Sequence, residues 1–248
     1  MRSSEDKAPW SLNYYRSRLP GAPDVYQAFL AAIDEATTPD AQVVDVGCGG
    51  EFILRHLRGR VARVIGLDVQ LHEHPYDELV KADIENTMPL PDAGVDLAVS
   101  KFVFEHLRQP ENAVREIRRI IAPGGRVIVL TPDVRYFPYA VNFALSRMLP
   151  QTLRMKIVAA FTGRPDPDIF PVRYRCNTPR RLRSLFEGAG FHTRRLETYS
   201  DFGVISGWKT LGRLGTWYEM CLNRLGLKGA RGFILGVFER SEADAAAL

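Results

Sequence analysis

The stretch "AQVVDVGCGG", Ala41 to Gly50, narrows what this chain can fold into more than any other. Its apolar, β-branched first half reads as a buried strand, and Gly47, Gly49 and Gly50 then make a turn. Glycine lets the backbone approach a bound molecule closely, and a helix that starts just beyond offers unpaired N–H groups. The pattern predicts that helix over "EFILRHLRG", ended by Gly59. A nucleotide-binding turn of this kind wants small residues at alternate positions. Gly47 and Gly49 comply, whereas the third such position holds Glu51. An acid in a first helical turn is favoured by the dipole by roughly 0.3–1 kcal/mol, so Glu51 is expected to modify the turn and leave it working. Asp68 closes the next strand, "VARVIGLDV", about 20 residues on, where a carboxylate can accept from both hydroxyls of a ribose.

The alternation continues. "VDLAVSKF" reads as a third strand after the turn "PLPDAG". "PENAVREIRRIIAPGG" is an amphipathic helix with Ala113, Ile117, Ile120 and Ile121 inward, broken by Pro123-Gly124-Gly125, and "RVIVLTP" is a buried strand. Upstream, Val25, Phe29, Ala32 and Ile33 share a face of a helix over 24–37. Strands alternating with helices imply βαβ units and a mostly parallel sheet covered on both faces.

After Pro132 the pattern changes. "YAVNFALSRML" and "QTLRMKIVAAF" read as helices and "TGRPDPDIFPVRYRCNTPR" as a long loop. The helix "PRRLRSLFEGAGF", which Thr178 and Pro179 start well, and the strand "HTRRLETYS" follow. A helix-like "GWKTLGRLGTWYEMCLNRLGL" and the strand "GFILGVFER" end the pattern. The expected organisation is an N-terminal helical segment at 1–40 and an α/β domain from 41–133 and 179–240. Segment 134–178 is read as an inserted helical lid, where open α/β sheets bind ligands, and 241–248 as a frayed tail.

Charge is distributed unevenly. Residues 134–240 hold 18 Lys and Arg against 7 Asp and Glu, whereas the remainder holds 15 against 22. Such asymmetry points to a partner of opposite charge. Three scattered cysteines, Cys48, Cys176 and Cys221, suggest neither a disulfide framework nor a metal cluster, and the expected location is cytoplasmic. No run approaches the roughly 20 apolar residues of a membrane span.

The stretch "KADIENTMPLPDAGVDLAVSKFVFEHLRQPENAVREIRRIIAPGGRVIVLTPD" resembles the class I S-adenosylmethionine-dependent methyltransferases, closest to the small-molecule subgroup that includes the ubiquinone/menaquinone biosynthesis type. The likeness runs from Val43 to Asp133. It implies a Rossmann-like seven-stranded sheet, mostly parallel with an antiparallel last strand, and S-adenosylmethionine as cofactor. By resemblance, Gly47, Cys48 and Gly49 would wrap the methionine part, and Asp45 would orient that loop and reach the cofactor amino group. Glu51 would face that ammonium, Asp68 would hold the ribose, and Val69 would lie against the adenine. Asp83 would accept from the adenine amino group, Ile84 would pack on the ring, and Ser100 and Lys101 would line the pocket near the reactive methyl.

Methyl transfer from a sulfonium is an in-line displacement, and a hydroxyl acceptor also has to lose a proton. His106, in "FEHL" beyond the pocket strand, is the preferred base, with Glu105 in support. His72 and His74 share a loop without a third ligand, so no metal is expected. Arg173, Tyr174, Arg175 and Asn177 cluster where arginine forks suit an anionic acceptor. Trp208, Leu211, Leu214, Tyr218, Cys221, Leu222 and Leu225 share a face, which leaves peripheral membrane contact open beside a role covering the sheet or lining an acceptor pocket. Nucleic acid is not an expected partner, because the basic residues carry no RNA-binding motif. The favoured function is O-methylation of a sugar, glycan or polyketide hydroxyl on a small or lipid-linked acceptor. C-methylation of a quinone-like ring and a non-catalytic binding protein on the same fold are the alternatives.

Overall fold

The computed structural model describes residues 10–18, 21, 23–50, 52–73, 75–150, 152–153, 156, 171–201, 209–227 and 231–242. Glu51, His74, Trp208, most of "QTLRMKIVAAF", the loop up to residue 170 and residues 243–248 lie outside them.

Seven strands form one sheet: β1 Gln42–Val46, β2 Arg63–Asp68, β3 Glu78–Lys81, β4 Val95–Lys101, β5 Ile121–Pro132, β6 Phe191–Tyr199 and β7 Phe233–Arg240. Their order is β3-β2-β1-β4-β5-β7-β6, mostly parallel with antiparallel pairing at the last strand, as the sequence resemblance implies. The pairs from β3 to β5 are parallel. In register, Asp45 of β1 faces Gly66 of β2 on one side and Val99 of β4 on the other. The chain leaves β1 toward β2 in one direction and reaches β4 in the other. The C-terminal ends of β1 and β4 therefore flank the crevice where such sheets bind ligands.

The helices are α1 Trp10–Arg18, α2 Val25–Glu35, α3 Pro110–Ile120, α4 Phe137–Met148, α5 Pro179–Gly188 and α6 Lys209–Arg224. Val25, Phe29, Ala32 and Ile33 of α2 are buried, as their spacing predicts. Proline at the first position starts α3, whose Ala113, Val114, Ile117 and Ile120 are buried. Thr178 caps α5 by accepting from the Arg181 amide at 3.3 Å. Phe186 of α5 stacks on Phe238 of β7, centroids 4.0 Å apart, and meets Phe104 and Phe191 in the same apolar core.

Two expectations need correction. After the glycine turn there is no α-helix among the described residues, only a single 3-10 turn at Arg55–Leu57. Phe52, Leu54 and Leu57 are all buried, and their spacing of two and three does not suit one helical face. Gly59, at φ 74°, then turns the chain toward β2. Second, α3 ends at Ile120, not at the Pro-Gly-Gly. Ile121 is already extended and pairs with Val95, and the three residues form an irregularity inside β5. A residue before proline avoids the helical region, which ends the helix early. A Cβ on Gly125 would lie 2.9 Å from the Asp96 and Ala122 carbonyls, so only glycine fits there.

The chain divides into two compact units. One, Tyr26–Pro132, Arg173–Glu197 and Ile234–Leu248, carries the body of the sheet with α3 and α5. The other, Met1–Val25, Asp133–Val172 and Thr198–Phe233, carries α1, α4 and α6. In this second unit Tyr136 is buried against Tyr139 and Tyr218, and Tyr139 donates to Asp201. On α6, Thr216, Glu219 and Leu222 are buried while Leu214 and Trp217 are exposed, so the buried face is partly polar. Among the described residues no helix is long and apolar enough to cross a membrane.

Candidate active site

At the end of β1, Asp45 is buried and its Oδ2 accepts from the Tyr76 hydroxyl at 2.5 Å. Its Oδ1 is buried without a partner. Burial pushes this carboxyl up to about 7; the Tyr76 hydrogen bond and Lys101 work against the rise, and the nearby charge of Asp68 adds to it. An orphaned carboxylate oxygen in such a place is stabilised by a cationic hydrogen-bond donor.

The turn beyond it is rigid for identifiable reasons. Gly47 and Cys48 both donate to the Leu67 carbonyl, at 2.7 and 3.1 Å. Gly49 donates to Asp68 Oδ2 at 2.9 Å, while Asp68 Oδ1 takes the Gln70 amide at 2.9 Å. Gly47 has φ 78°, and a Cβ there would lie 2.2 Å from Val103 Cγ2. Gly49 has φ 51° but faces open space. Cys48 is buried, and burial with Asp45 and Asp68 nearby pushes its thiol up to about 12, so it is no nucleophile.

Around this turn, Val69 is exposed beyond β2. Asp83 accepts from the Glu85 amide at 3.0 Å and from Asn86 Nδ2 at 3.1 Å, and Ile84 beside it is buried. At the end of β4, Ser100 is buried and its Oγ has no partner, while Lys101 Nζ lies 5.4 Å from the Tyr26 ring centroid. Phe102 follows at φ 58°, a conformation that costs a non-glycine residue roughly 1–3 kcal/mol and clusters at functional sites. The crevice thus brings together Asp45, the glycine turn, Asp68 and Ser100 at adjacent strand ends. No α-helix N-terminus opens there among the described residues, and the Gly49 amide is already taken by Asp68. The spare carboxylate acceptor at Asp45 suits a cation-bearing ligand better than a pyrophosphate.

Beyond β4, Glu105 is buried and its carboxyl is pushed up to about 7 by burial, against which its backbone contacts and Thr131 act. Thr131 Oγ1 donates to Glu105 Oε2 at 3.1 Å and accepts from Asn177 Nδ2 at 2.6 Å. Asn177 also donates to the Pro132 carbonyl at 3.2 Å, and the Glu105 carbonyl accepts the amides of Arg173 and Tyr174. This network pins the segment from Arg173 to Asn177 to the ends of β4 and β5. Asn177 and Tyr174 are buried, the latter at φ 49°, whereas Arg173 and Arg175 are exposed. His106 is partly exposed, its Nε2 3.9 Å from Glu105 Oε1. Tyr76, Val103 and Thr131 escape a reading of the sequence, because each acts through a partner distant along the chain.

The profile of the methyltransferase domain family matches residues 44–129, from β1 into β5, the elements that build this crevice. Residues 44–129 carry a methyltransferase domain of the S-adenosylmethionine-dependent kind. S-adenosylmethionine is the cofactor of that superfamily, and Asp45 Oδ1 with the glycine turn fits its ammonium group. The chain is similar to a malonyl-[acyl-carrier protein] O-methyltransferase of Pseudescherichia vulneris, 30% identical over 138 residues, which cover 50% of this chain and 55% of that one. It is also similar to a probable S-adenosylmethionine-dependent methyltransferase of Mycolicibacterium smegmatis, 35% identical over 97 residues, 37% of this chain and 38% of that one. The chain therefore spans about half the length, or less, of the relatives it matches. Among solved structures, the methyltransferase fold recurs in an S-adenosylmethionine-dependent methyltransferase from Mesorhizobium loti, TM-score 0.52 and 18% identity, covering 86% of this chain and 96% of that one.

Proposed function

We propose that this chain is an S-adenosylmethionine-dependent O-methyltransferase of a small-molecule or lipid-linked acceptor. The observation that carries the reading is the buried, unpartnered Asp45 Oδ1 beside a glycine turn that, among the described residues, no α-helix follows to offer its dipole to an anion. S-adenosylmethionine, when bound, supplies an electrophilic methyl group on a sulfonium. Gly47, Cys48 and Gly49 hold its methionine part, Asp45 meets the ammonium, and Asp68 takes the ribose hydroxyls while bracing Gly49. Val69, Asp83 and Ile84 receive the adenine, and Ser100 offers its spare hydroxyl toward the transfer region beside Lys101. His106, whose Nε2 lies 3.9 Å from Glu105 Oε1, takes the acceptor's hydroxyl proton. Arg173 and Arg175 present charge to an anionic acceptor, while the backbone of their segment is fixed by Glu105.

O-methylation is supported by the name of the malonyl-[acyl-carrier protein] relative. A lipid-linked acceptor is supported by the exposed Phe137 and Met148 of α4 and Leu214 and Trp217 of α6, apolar side chains of the kind that meet prenyl or acyl tails. The test is transfer of labelled methyl from S-adenosylmethionine to a panel of hydroxylated quinone precursors, lipid-linked sugars and acyl-carrier thioesters. Turnover of one class that His106→Gln slows by about 10²-fold or more with unchanged cofactor affinity supports the reading. Cofactor binding without turnover across the panel favours a non-catalytic binding protein.

A further inference from the structure

The geometry points to a second ligand site, for a soluble molecule bearing a pyrophosphate-type group, in the groove between α3 and α5. The groove is a cavity of about 740 Å³ lined by Arg115 and Arg118 of α3, by Arg175, and by Arg181 of α5, with Glu111 its one acid and Leu185 on its apolar side. That volume is of the size that holds a small molecule. Even without Arg118, Arg115, Arg175 and Arg181 outnumber Glu111 and leave an excess of positive charge in a concavity, where field lines concentrate.

Several arginines elsewhere on this unit pair with carboxylates. Arg119 pairs with Glu116 and Asp92, and Arg126 and Arg194 share Glu239. Three arginines of the groove are not so paired. Arg115 donates to the Asn112 side-chain oxygen at 3.1 Å, and Arg181 reaches only the Arg175 carbonyl at 3.5 Å. Among the described residues Arg115, Arg175 and Arg181 have no carboxylate partner, and all three are exposed. Guanidinium forks that outnumber the acids in one concavity suit phosphate oxygens, which they can bind two at a time. A single phosphate would leave part of the charge unmatched, whereas two linked phosphates span several forks. The concavity argues for a soluble ligand, since a flat bilayer cannot fill it. None of the lining residues belongs to the glycine turn, so the site stands independently of the cofactor reading, and only Arg175 is shared with the residues proposed to face the acceptor.

The test is calorimetric titration of inorganic pyrophosphate into the full chain at roughly physiological salt, where long-range charge effects are screened. One site is expected, weakened about tenfold or more by Arg181→Gln, the loss of one charge-assisted bidentate contact. Arg183→Gln, on the same helix but outside the groove, is expected to change affinity less than about twofold. Arg115→Gln serves as the second variant if Arg181→Gln does not fold. Equal weakening by Arg183→Gln, or no binding at this salt, overturns the proposal. Binding to phosphatidic acid vesicles without binding to pyrophosphate overturns it too, because the surface would then be a membrane contact.

Discussion

Tyr76 donates its hydroxyl proton to Asp45 Oδ2 at 2.5 Å and leaves Oδ1 of the same buried carboxylate without a partner. One oxygen is fixed by the protein and the other is reserved. Asp45→Asn should retain the Tyr76 bond while presenting an uncharged amide to the cofactor's ammonium. A hydrogen bond to a charged group contributes about 1.5–3 kcal/mol, so the cofactor should bind roughly 10- to 100-fold more weakly. Thermal stability should be kept or raised, because a costly buried charge is gone. Calorimetry and a melting curve on the same preparation check both halves.

Cofactor affinity should depend on pH with a definite sign. Burial raises the Asp45 carboxyl to about 7, with Tyr76 and Lys101 opposing and Asp68 reinforcing the rise. An ammonium on Oδ1 favours the ionised form, so binding below about pH 7 must expel a proton. Affinity should therefore rise with pH, by up to about tenfold per unit, and level off above about 7. Titrations between about pH 5.5 and 8 in buffers of different ionisation enthalpy would detect the released proton. A flat profile would mean that Asp45 does not meet the ammonium.

The two turn glycines should fail differently. Gly47→Ala combines a positive φ with a Cβ 2.2 Å from Val103 Cγ2, so it should unfold or strongly destabilise the domain. Gly49→Ala meets open space and should cost only about 1–2 kcal/mol of stability for its left-handed conformation. Its methyl would enter the open space where the proposed cofactor site lies, so cofactor affinity should suffer more than folding. Denaturant unfolding and binding measured in parallel separate the two cases.

Glu105 offers a test of the buried network. Its folded value of about 7 lies above the unfolded glutamate value, so the native state holds a proton that the unfolded chain has lost. Its contribution to stability is fully present below about pH 4.3 and is lost as pH rises through about 7, up to roughly 3 kcal/mol. Glu105→Gln should flatten that dependence and be more stable than wild type at about pH 8. Asn177→Ala, which leaves Thr131 Oγ1 and the Pro132 carbonyl short of a donor, should instead cost about 1–3 kcal/mol. Urea unfolding across pH reads both.

The strands of the nucleotide-type half were legible because apolar runs, glycines and Asp68 obey local spacing that backbone geometry enforces. The short edge strand β3 was not, since Glu78–Lys81 alternates weakly and none of its residues is fully buried. The helix expected after Gly50 failed for a tertiary reason. Phe52 packs edge-on against Tyr76 at 4.5 Å, and Leu54 and Leu57 are drawn into the interior at non-helical spacing. In the site, Asp45 and Ser100 could be placed from strand ends alone. Their orphaned oxygens could not, because Tyr76 lies 31 residues from Asp45 and only the fold decides which oxygen it occupies. Asn177, expected among acceptor-facing residues, is buried with its amide nitrogen engaged by Thr131 and Pro132, contacts that join segments 46 and 45 residues apart.

The most direct test of the central claim is titration of S-adenosylmethionine and S-adenosylhomocysteine into wild-type protein and Asp68→Ala, each shown to be folded by circular dichroism. Asp68 braces Gly49 and closes β2, so its loss removes both the proposed ribose acceptor and the support of the turn. The wild type should bind one-to-one at micromolar concentration, and the substitution should weaken binding at least about tenfold. Folded wild-type protein that binds neither molecule would contradict the claim.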